Sequence, residues 1–297
     1  MLALIIATRN RPILLRELFK ALNNLNLKPS LIVLVDSSDL EEDYSDLTEI
    51  PLIYRHTEIK SAAIQRNIGL ETLSDEYEFV AFLDDDTIPE ENYFTKLLET
   101  MEKTKAIGIS GIALDKKGCF PRKFEYQSLN PIRYLLFLDS RKEGWVTKGS
   151  FNIPIRQKYP GPVEVGWLIG CSLWKLPAIK SLKFNDNFFG HSLGEDVLFS
   201  VAANHFGKLI VDTSVVLHHS ESEIGRESNF HDEISLMKFR LTYTLYMKKS
   251  SYWFGFLIGT LGRLLFLFAG AIKYRRKYIP RILGLILSPA FLVLRIK

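Results

Sequence analysis

Apolar runs of strand length alternate with helical patterns along the first part of the chain. LALIIAT (residues 2–8) precedes an amphipathic stretch from Pro12 to Leu25, and LIVLVDSS (31–38) precedes a helix-like QRNIGLETL (65–73). EFVAFLDDD (78–86) is then followed by a helical stretch opening at Pro89 and by AIGISGIAL (106–114). Continuous apolar strands separated by helical periodicity predict an α/β fold with a Rossmann-like mixed, mostly parallel sheet and helices on both faces. Ligands of such sheets sit at the carboxyl ends of the strands. Those ends read Thr8-Arg9-Asn10-Arg11, Asp36-Ser37-Ser38-Asp39 and Asp84-Asp85-Asp86.

The pattern changes near the C-terminus. Tyr252 to Ile272 is a 21-residue stretch whose only charge is Arg263, and a 13-residue apolar stretch from Ile282 to Leu294 contains Pro289. Charge divides the chain at the same region. Residues 234–297 carry 12 Lys and Arg and no carboxylate, so the preceding residues hold 26 basic against 34 acidic groups, a net of −8 beneath the overall +4. This predicts two parts, an acidic domain over 1–233 and a basic, hydrophobic helical tail over 234–297. A spanning helix needs about 20 apolar residues, and an arginine at its centre costs roughly 2.5–3.5 kcal/mol on insertion scales. The tail therefore reads as helices in the cytoplasmic interface of the membrane, with Trp253, Phe254, Phe256, Phe266 and Phe268 in the acyl boundary and Lys and Arg at anionic head groups. A hairpin dipping into the bilayer and a buried helical pair in an oligomer are the alternatives. Cationic residues interleaved with long aliphatic runs speak against nucleic acid. Cys119 and Cys171 show neither disulfide nor zinc spacing, and the N-terminus lacks a basic n-region, which fits a reducing cytosol.

Three successive carboxylates repel one another, and a divalent cation removes that conflict. Mg2+ or Mn2+ commonly bridges a carboxylate and substrate phosphates, which would make a nucleotide diphosphate the third party. An acidic turn capping the helix near Pro89 is the bland alternative, and spacing alone leaves the two even. A second constellation lies downstream. Gly194-Glu195-Asp196 opens a helical pattern, and a later strand closes on Val215-Val216-Leu217-His218-His219.

Taken together, these motifs resemble the inverting glycosyltransferases of family 2, with the GT-A fold. The matches run through most of residues 1–220: Thr8, Asn10 and Arg11 at the first strand end, Asp36, the R-N-x-G of Arg66, Asn67 and Gly69, the L-D-x-D of Leu83, Asp84 and Asp86, the Glu195-Asp196 pair and a closing histidine. The resemblance implies that Thr8, Asp36 and Arg66 hold the nucleoside, that Asp84 contacts the ribose side and that Asp86 coordinates the metal. Asn10, Arg11 and Asp85 belong to the same donor site without individual roles. Asp196 is implied as the catalytic base, deprotonating an acceptor hydroxyl that displaces the nucleotide with inversion. Glu195 reads as a helix-start or acceptor-orienting residue. His218 is preferred to His219 as the metal-side imidazole, because strand alternation lets only one point inward. His56, His191, His205 and His231 are read as structural. The aromatic segment 115–168 and the following Gly166-Trp167-Leu168-Ile169-Gly170 would form the acceptor side, with Trp167 either stacked on a sugar or in the core. One departure from the family pattern is Asp36-Ser37-Ser38, where many relatives carry a second acid or a glycine.

These features imply a metal-dependent transferase taking a nucleotide-diphosphate sugar to a lipid-linked or cell-surface glycan acceptor at the cytoplasmic face of the membrane. A sugar-nucleotide nucleotidyltransferase would carry a glycine-rich N-terminal loop, and Ala7-Thr8-Arg9-Asn10-Arg11 has none. A dehydrogenase would carry G-x-G-x-x-G after the first strand. A processive synthase would carry Q-x-x-R-W. A non-catalytic membrane-associated nucleotide-binding protein would show no metal-dependent binding of nucleotide diphosphates.

Overall fold

The structure is a computed structural model that describes residues 1–40, 42–115, 117–120, 131–187, 193–219 and 229–293. Its first half reads β1 (Leu2–Thr8), α1 (Pro12–Asn23), β2 (Leu31–Asp36), β3 (Leu52–His56), α2 (Ala62–Thr72), β4 (Phe79–Asp84), β5 (Thr87–Pro89), α3 (Tyr93–Thr104) and β6 (Gly108–Leu114). There follow α4 (Pro131–Leu135), β7 (Val163–Val165), β8 (Ser172–Lys175), α5 (Leu176–Ile179), α6 (Glu195–Ala203), β9 (Leu209–His219), α7 (Asn229–Met247), α8 (Ser250–Lys273) and α9 (Arg275–Val293). The strands form one mixed sheet in the order β3-β2-β1-β4-β8-β6-β9-β5, with β7 against β9. The neighbours among β1 to β4 pair in parallel, as do β6 and β9, whereas β8 runs antiparallel between β4 and β6.

Local chemistry explains these elements. Pro12 stands at the start of α1, where its missing N–H costs no hydrogen bond, and Leu15, Leu18, Phe19 and Leu22 bury one face. The Ser61 hydroxyl caps α2 by accepting from the Ile64 N–H. Side chains alternate across β1, so Leu4 and Ile6 enter the core layer that contains Phe19, and Ala3 and Ile5 enter the layer that contains Phe82, Trp174 and Phe199. Register then sets the site. Thr8 lies opposite Asp36 and Ala7 opposite Asp84, which brings the polar ends of β1, β2 and β4 to one edge.

The described residues fall into two compact units. The first holds the whole sheet with α1 to α3, α5 and α6. The second joins α4 and the chain leading to Pro154 with α7, α8 and α9. The charge boundary between residues 233 and 234 falls inside α7. Within the second unit Arg263 is not an isolated charge: its Nε and Nη2 donate to Glu233 at 3.0 and 2.9 Å, and both side chains are buried. Arg240, also buried, donates to the carbonyls of Gly149 and Phe256 at 3.0 Å each and stacks over the Phe151 ring. Phe256 and Phe266, expected in the acyl boundary, instead pack inward, the first beside Leu267 and Met237 and the second beside Leu138 and Phe151. Trp253, Phe254 and Phe268 are exposed. Ser250–Ile272 is long and apolar enough to cross a membrane. His191 lies outside the described residues.

Candidate active site

The β1 end turns sharply at Asn10, whose φ of +54° places a residue tolerant of the left-handed region where the chain leaves the strand. The Asn10 N–H donates to Ser38 Oγ at 2.7 Å, and its side chain exchanges two hydrogen bonds with Asp39. Asp36 is fully buried. Its Oδ1 accepts from the N–H and hydroxyl of Ser38, and its Oδ2 from the Tyr54 hydroxyl at 3.3 Å. Its Oδ1 thus shapes the loop after β2 and its Oδ2 ties the strand end to β3, and the two serines that depart from the family pattern are part of that loop. Gln65, which sequence reasoning passed over, ties the two strand ends together by donating to the carbonyls of Thr8 and Val35 at 2.8 and 2.7 Å.

The acidic run is divided among three partners. Asp85 is buried and accepts from Thr8 Oγ1 and Arg11 Nη1, each at 2.8 Å. Burial nevertheless pushes its carboxyl up to about 6, against the pull of Arg11 and Thr8. Asp86 meets the same Arg11 nitrogen at 3.2 Å and His219 Nε2 at 3.1 Å. Burial acts to raise Asp86, but the hydrogen bond and charge of His219, with Arg11, outweigh it and hold the carboxyl below its usual range. Arg11 therefore relieves the repulsion from which a cation was inferred. Of the two histidines that close β9, it is His219 rather than the preferred His218 that meets Asp86. The His218 Nδ1 lies 3.5 Å from the Asp115 carbonyl.

Asp84 faces the other way, and its side chain is 39% exposed. Arg66, buried in α2, donates to Asp84 Oδ1 at 2.7 Å through Nη2 and pairs with Glu195 through Nη1. Burial opposes its charge, yet Glu195 and Asp84 outweigh that and raise its pKa. The arginine of R-N-x-G so joins the strand end at Asp84 to the start of α6. The other two motif positions have their own reasons. Asn67 exchanges hydrogen bonds with the backbone of Phe184 at 2.9 and 2.8 Å, and Phe184 stacks on Phe199 beneath the Arg66 guanidinium. Gly69 lies flush on β1, since a Cβ there would stand 2.4 Å from Ile5 Cγ2.

Glu195 and Asp196 occupy the first turn of α6, where aligned peptide dipoles favour negative charge. Burial raises the pKa of both. Asp196 is half-buried and accepts from the Val197 N–H at 2.8 Å. Gly170 closes on the same place, for a Cβ there would stand 3.0 Å from Arg66 Nη2 and 3.5 Å from Asp84 Oδ2. Its missing side chain leaves room beside Asp84. Trp167 is buried rather than offered as an open stacking face, and its Nε1 has no hydrogen-bond partner among the described residues.

Among the described residues no three His, Cys, Asp or Glu side chains converge as a metal cluster. Magnesium-type sites commonly use one or two protein ligands together with substrate phosphates. The Asp86 carboxylate fits that chemistry, the His219 imidazole 3.1 Å from it would add a nitrogen donor, and the glycine cradle at Gly170 leaves space beside Asp84.

A family model, Glycosyl transferase family 2, matches residues 3–159. No curated protein matches the sequence. The structure is similar to that of S. aureus TarS 1-349, with 14% identity and a TM-score of 0.58 over 97% of this chain and 80% of that one. The same fragment in complex with UDP-GlcNAc matches at 15% identity and 0.50, covering 81% and 66%. GalNAc-T7 with UDP, GalNAc and Mn2+ matches at 14% and 0.57, covering 82% and 48%. The match spans 39% of a longer S. aureus TarS chain. At these identities the likeness is one of fold, and it agrees with the mixed, mostly parallel sheet described above.

Proposed function

The chain belongs to glycosyl transferase family 2, and from that premise we propose that it is a metal-dependent inverting glycosyltransferase that moves a sugar from a nucleotide diphosphate to a hydroxyl of a lipid-linked or cell-surface glycan. The observation that carries this reading is the Arg66 bridge, with Asp84 on one side and Glu195 beside Asp196 on the other. One guanidinium sets the spacing between a donor edge and an acceptor edge.

In this scheme the loops after β1 and β2, fixed by Gln65 and by the Asp36 turn, receive the nucleoside, with Thr8, Asn10 and Arg11 lining the approach. Asp84, the open carboxylate, meets the ribose side. Asp86 and His219 would hold Mg2+ or Mn2+, which when bound supplies positive charge to the departing diphosphate. Asp196 takes the proton of the acceptor hydroxyl as that oxygen attacks the anomeric carbon. Its raised pKa makes it a stronger base than an ordinary aspartate. Glu195, neutralised by Arg66, orients rather than accepts. UDP and UDP-GlcNAc in the structures of GalNAc-T7 and TarS support a uridine diphosphate sugar as the first donor to try. The exposed apolar residues of α8 support attachment to the cytoplasmic membrane surface and hence a membrane-borne acceptor.

The test is calorimetric titration with UDP, GDP, dTDP and CMP sugars, with and without Mn2+, on wild type and on Asp196→Asn. We expect one nucleotide to bind in a Mn2+-dependent way. Asp196→Asn should keep that affinity while sugar transfer to a membrane-lipid extract falls about 100-fold or more. Full transfer by the variant would remove Asp196 as base, and no binding of any nucleotide would remove the reading altogether.

A further inference from the structure

We infer that the second unit carries a cleft for the headgroup of an anionic phospholipid, built by α4 and the loop that follows it, which is seated on the apolar helix α8. The inference rests on reading α8 and α9 as an interfacial tail, and it deepens that reading by giving the tail a specific ligand class. The cleft encloses about 580 Å³ and is lined by Tyr134, Phe137, Arg141, Lys142, Trp145 and Lys148 among others. The Lys142 ammonium sits 3.5 Å from the Trp145 ring centroid, and the Arg141 guanidinium 6.0 Å from that of Tyr134. Aromatic faces hold cations in place without using up their N–H donors, so two of the three cations are positioned while keeping the capacity to bind an oxyanion. Asp139, the carboxylate that also lines the cleft, is buried. Its Oδ1 accepts from the Ser140 N–H at 2.7 Å, and its Oδ2 lies 3.9 Å from Arg133 Nε. Its charge is matched behind the wall, which leaves Arg141, Lys142 and Lys148 to set the sign of the opening.

The loop is held in an unusual backbone shape. Phe137 has φ +55°, a sparse region for a bulky residue that surrounding structure must enforce. Here its carbonyl accepts from Thr147 Oγ1 at 2.7 Å, and Thr147 N–H donates to Phe151. The loop is also seated on α8. A Cβ at Gly255 would stand 2.2 Å from the Lys148 carbonyl oxygen and one at Gly262 2.8 Å from Leu136 Cβ, so both glycines admit it. α4, which lines the cleft through Tyr134, exposes Ile132 and Leu135, and α8 exposes Phe254, Leu257, Leu261 and Leu265 on a face apart from its seated glycines. A cationic, aromatic cleft with an apolar border at Ile132 and Leu135, in a unit whose α8 exposes further apolar side chains, complements an amphiphile, its anionic head in the cleft and its chain in the apolar layer that α8 enters. Inorganic phosphate shares the headgroup's chemistry but has no use for the apolar border.

The experiment is co-sedimentation of the full chain with phosphatidylcholine vesicles, with and without phosphatidylglycerol. Wild type should prefer the anionic vesicles by about tenfold or more. Trp145→Ala, which changes no charge, should lose most of that preference, as should the pair Lys142→Ala and Lys148→Ala. Trp145→Phe, which keeps a ring beneath Lys142, should restore it and guards against a folding defect. Removing the same number of charges with Lys248→Ala and Lys249→Ala should cost distinctly less. Equal losses from both lysine pairs, with Trp145→Ala silent, would overturn the site in favour of diffuse charge. Inorganic phosphate that displaces the vesicles better than chloride at matched ionic strength would overturn it in favour of a free-anion site. Binding to neither vesicle would remove the interfacial tail itself and the cleft with it, whereas nucleotide binding reads out the first unit separately.

Discussion

Arg11 and Arg66 divide the acidic strand ends between them, Arg11 taking Asp85 and Asp86 and Arg66 taking Asp84 and Glu195. The residue types of the site were visible in the sequence because aspartates and arginines at strand ends stand out against apolar runs. Their pairing was not, since it depends on which way each side chain turns at the β4 end. Residues 218 and 219 show the limit well: alternation says that one of two adjacent histidines faces inward, and only the register of β5 on β9, Thr87 opposite His219, decides which. Gln65 gave no signal at all, because a glutamine beside an arginine in a helix is ordinary. The division also has a pH consequence at Asp85. Its folded pKa of about 6 lies above the model-compound value of 3.8, so the folded chain binds this proton more tightly than the unfolded one. The associated stability is complete below the unfolded value and is lost as pH rises through about 6. Urea denaturation between pH 5 and 7.5 should therefore show stability falling with pH by about 1–3 kcal/mol from this group. The slope should be shallower in Asp85→Asn, and an identical slope would count against the shift.

Elements with strong periodicity were legible and short ones were not. β1, β2, β4 and β6 announce themselves as apolar runs, whereas β3 is a five-residue edge strand whose pattern is intermediate and exposed. β8 is four residues within a loop-like region, although it carries the antiparallel step between β4 and β6. The mixed, mostly parallel sheet was legible from βαβα order and the family resemblance, whereas the place of the reversal, at β8, has no mark in local composition. R-N-x-G was legible as a motif but not as mechanics. Its glycine is there because α2 touches β1 directly, which supports a prediction. Gly69→Ala forces a methyl against Ile5 and should destabilise the chain by about 1–3 kcal/mol, read as a lower urea midpoint with an unchanged m-value. No shift in midpoint would mean that α2 can move away at little cost, and the helix would then not fix the height of Arg66.

At the scale of the whole molecule, composition separated a cationic tail from an acidic body, and the contact pattern refines what that tail is. Its helices do not stand alone, for α7 and the chain from α4 to Pro154 belong to the same compact unit. Charge bookkeeping could not find this, because the last carboxylate in the sequence, Glu233, is the partner of the tail's central arginine. The exposed face of α8 nevertheless keeps the character read from the sequence. Replacing Phe254, Leu257, Leu261 and Leu265 with Gln removes apolar surface without touching the packed side. We expect this variant to stay folded by circular dichroism and to lose vesicle binding by about tenfold or more. Undiminished pelleting would move the membrane contact elsewhere.

The buried pair of Glu233 and Arg263 also bears on how the protein should be produced. Trimming a greasy C-terminus is a common way to obtain soluble enzyme, and a cut before Ser250 would look attractive on a hydropathy plot. Such a cut deletes Arg263, the partner of Glu233, and strips Phe256 from Arg240. Removing one partner of a buried ion pair costs about 3–5 kcal/mol, so a shortened protein that precipitates would report on its broken interior rather than on its catalytic chemistry. Mild detergent or recoding of the outward residues keeps the scaffold whole.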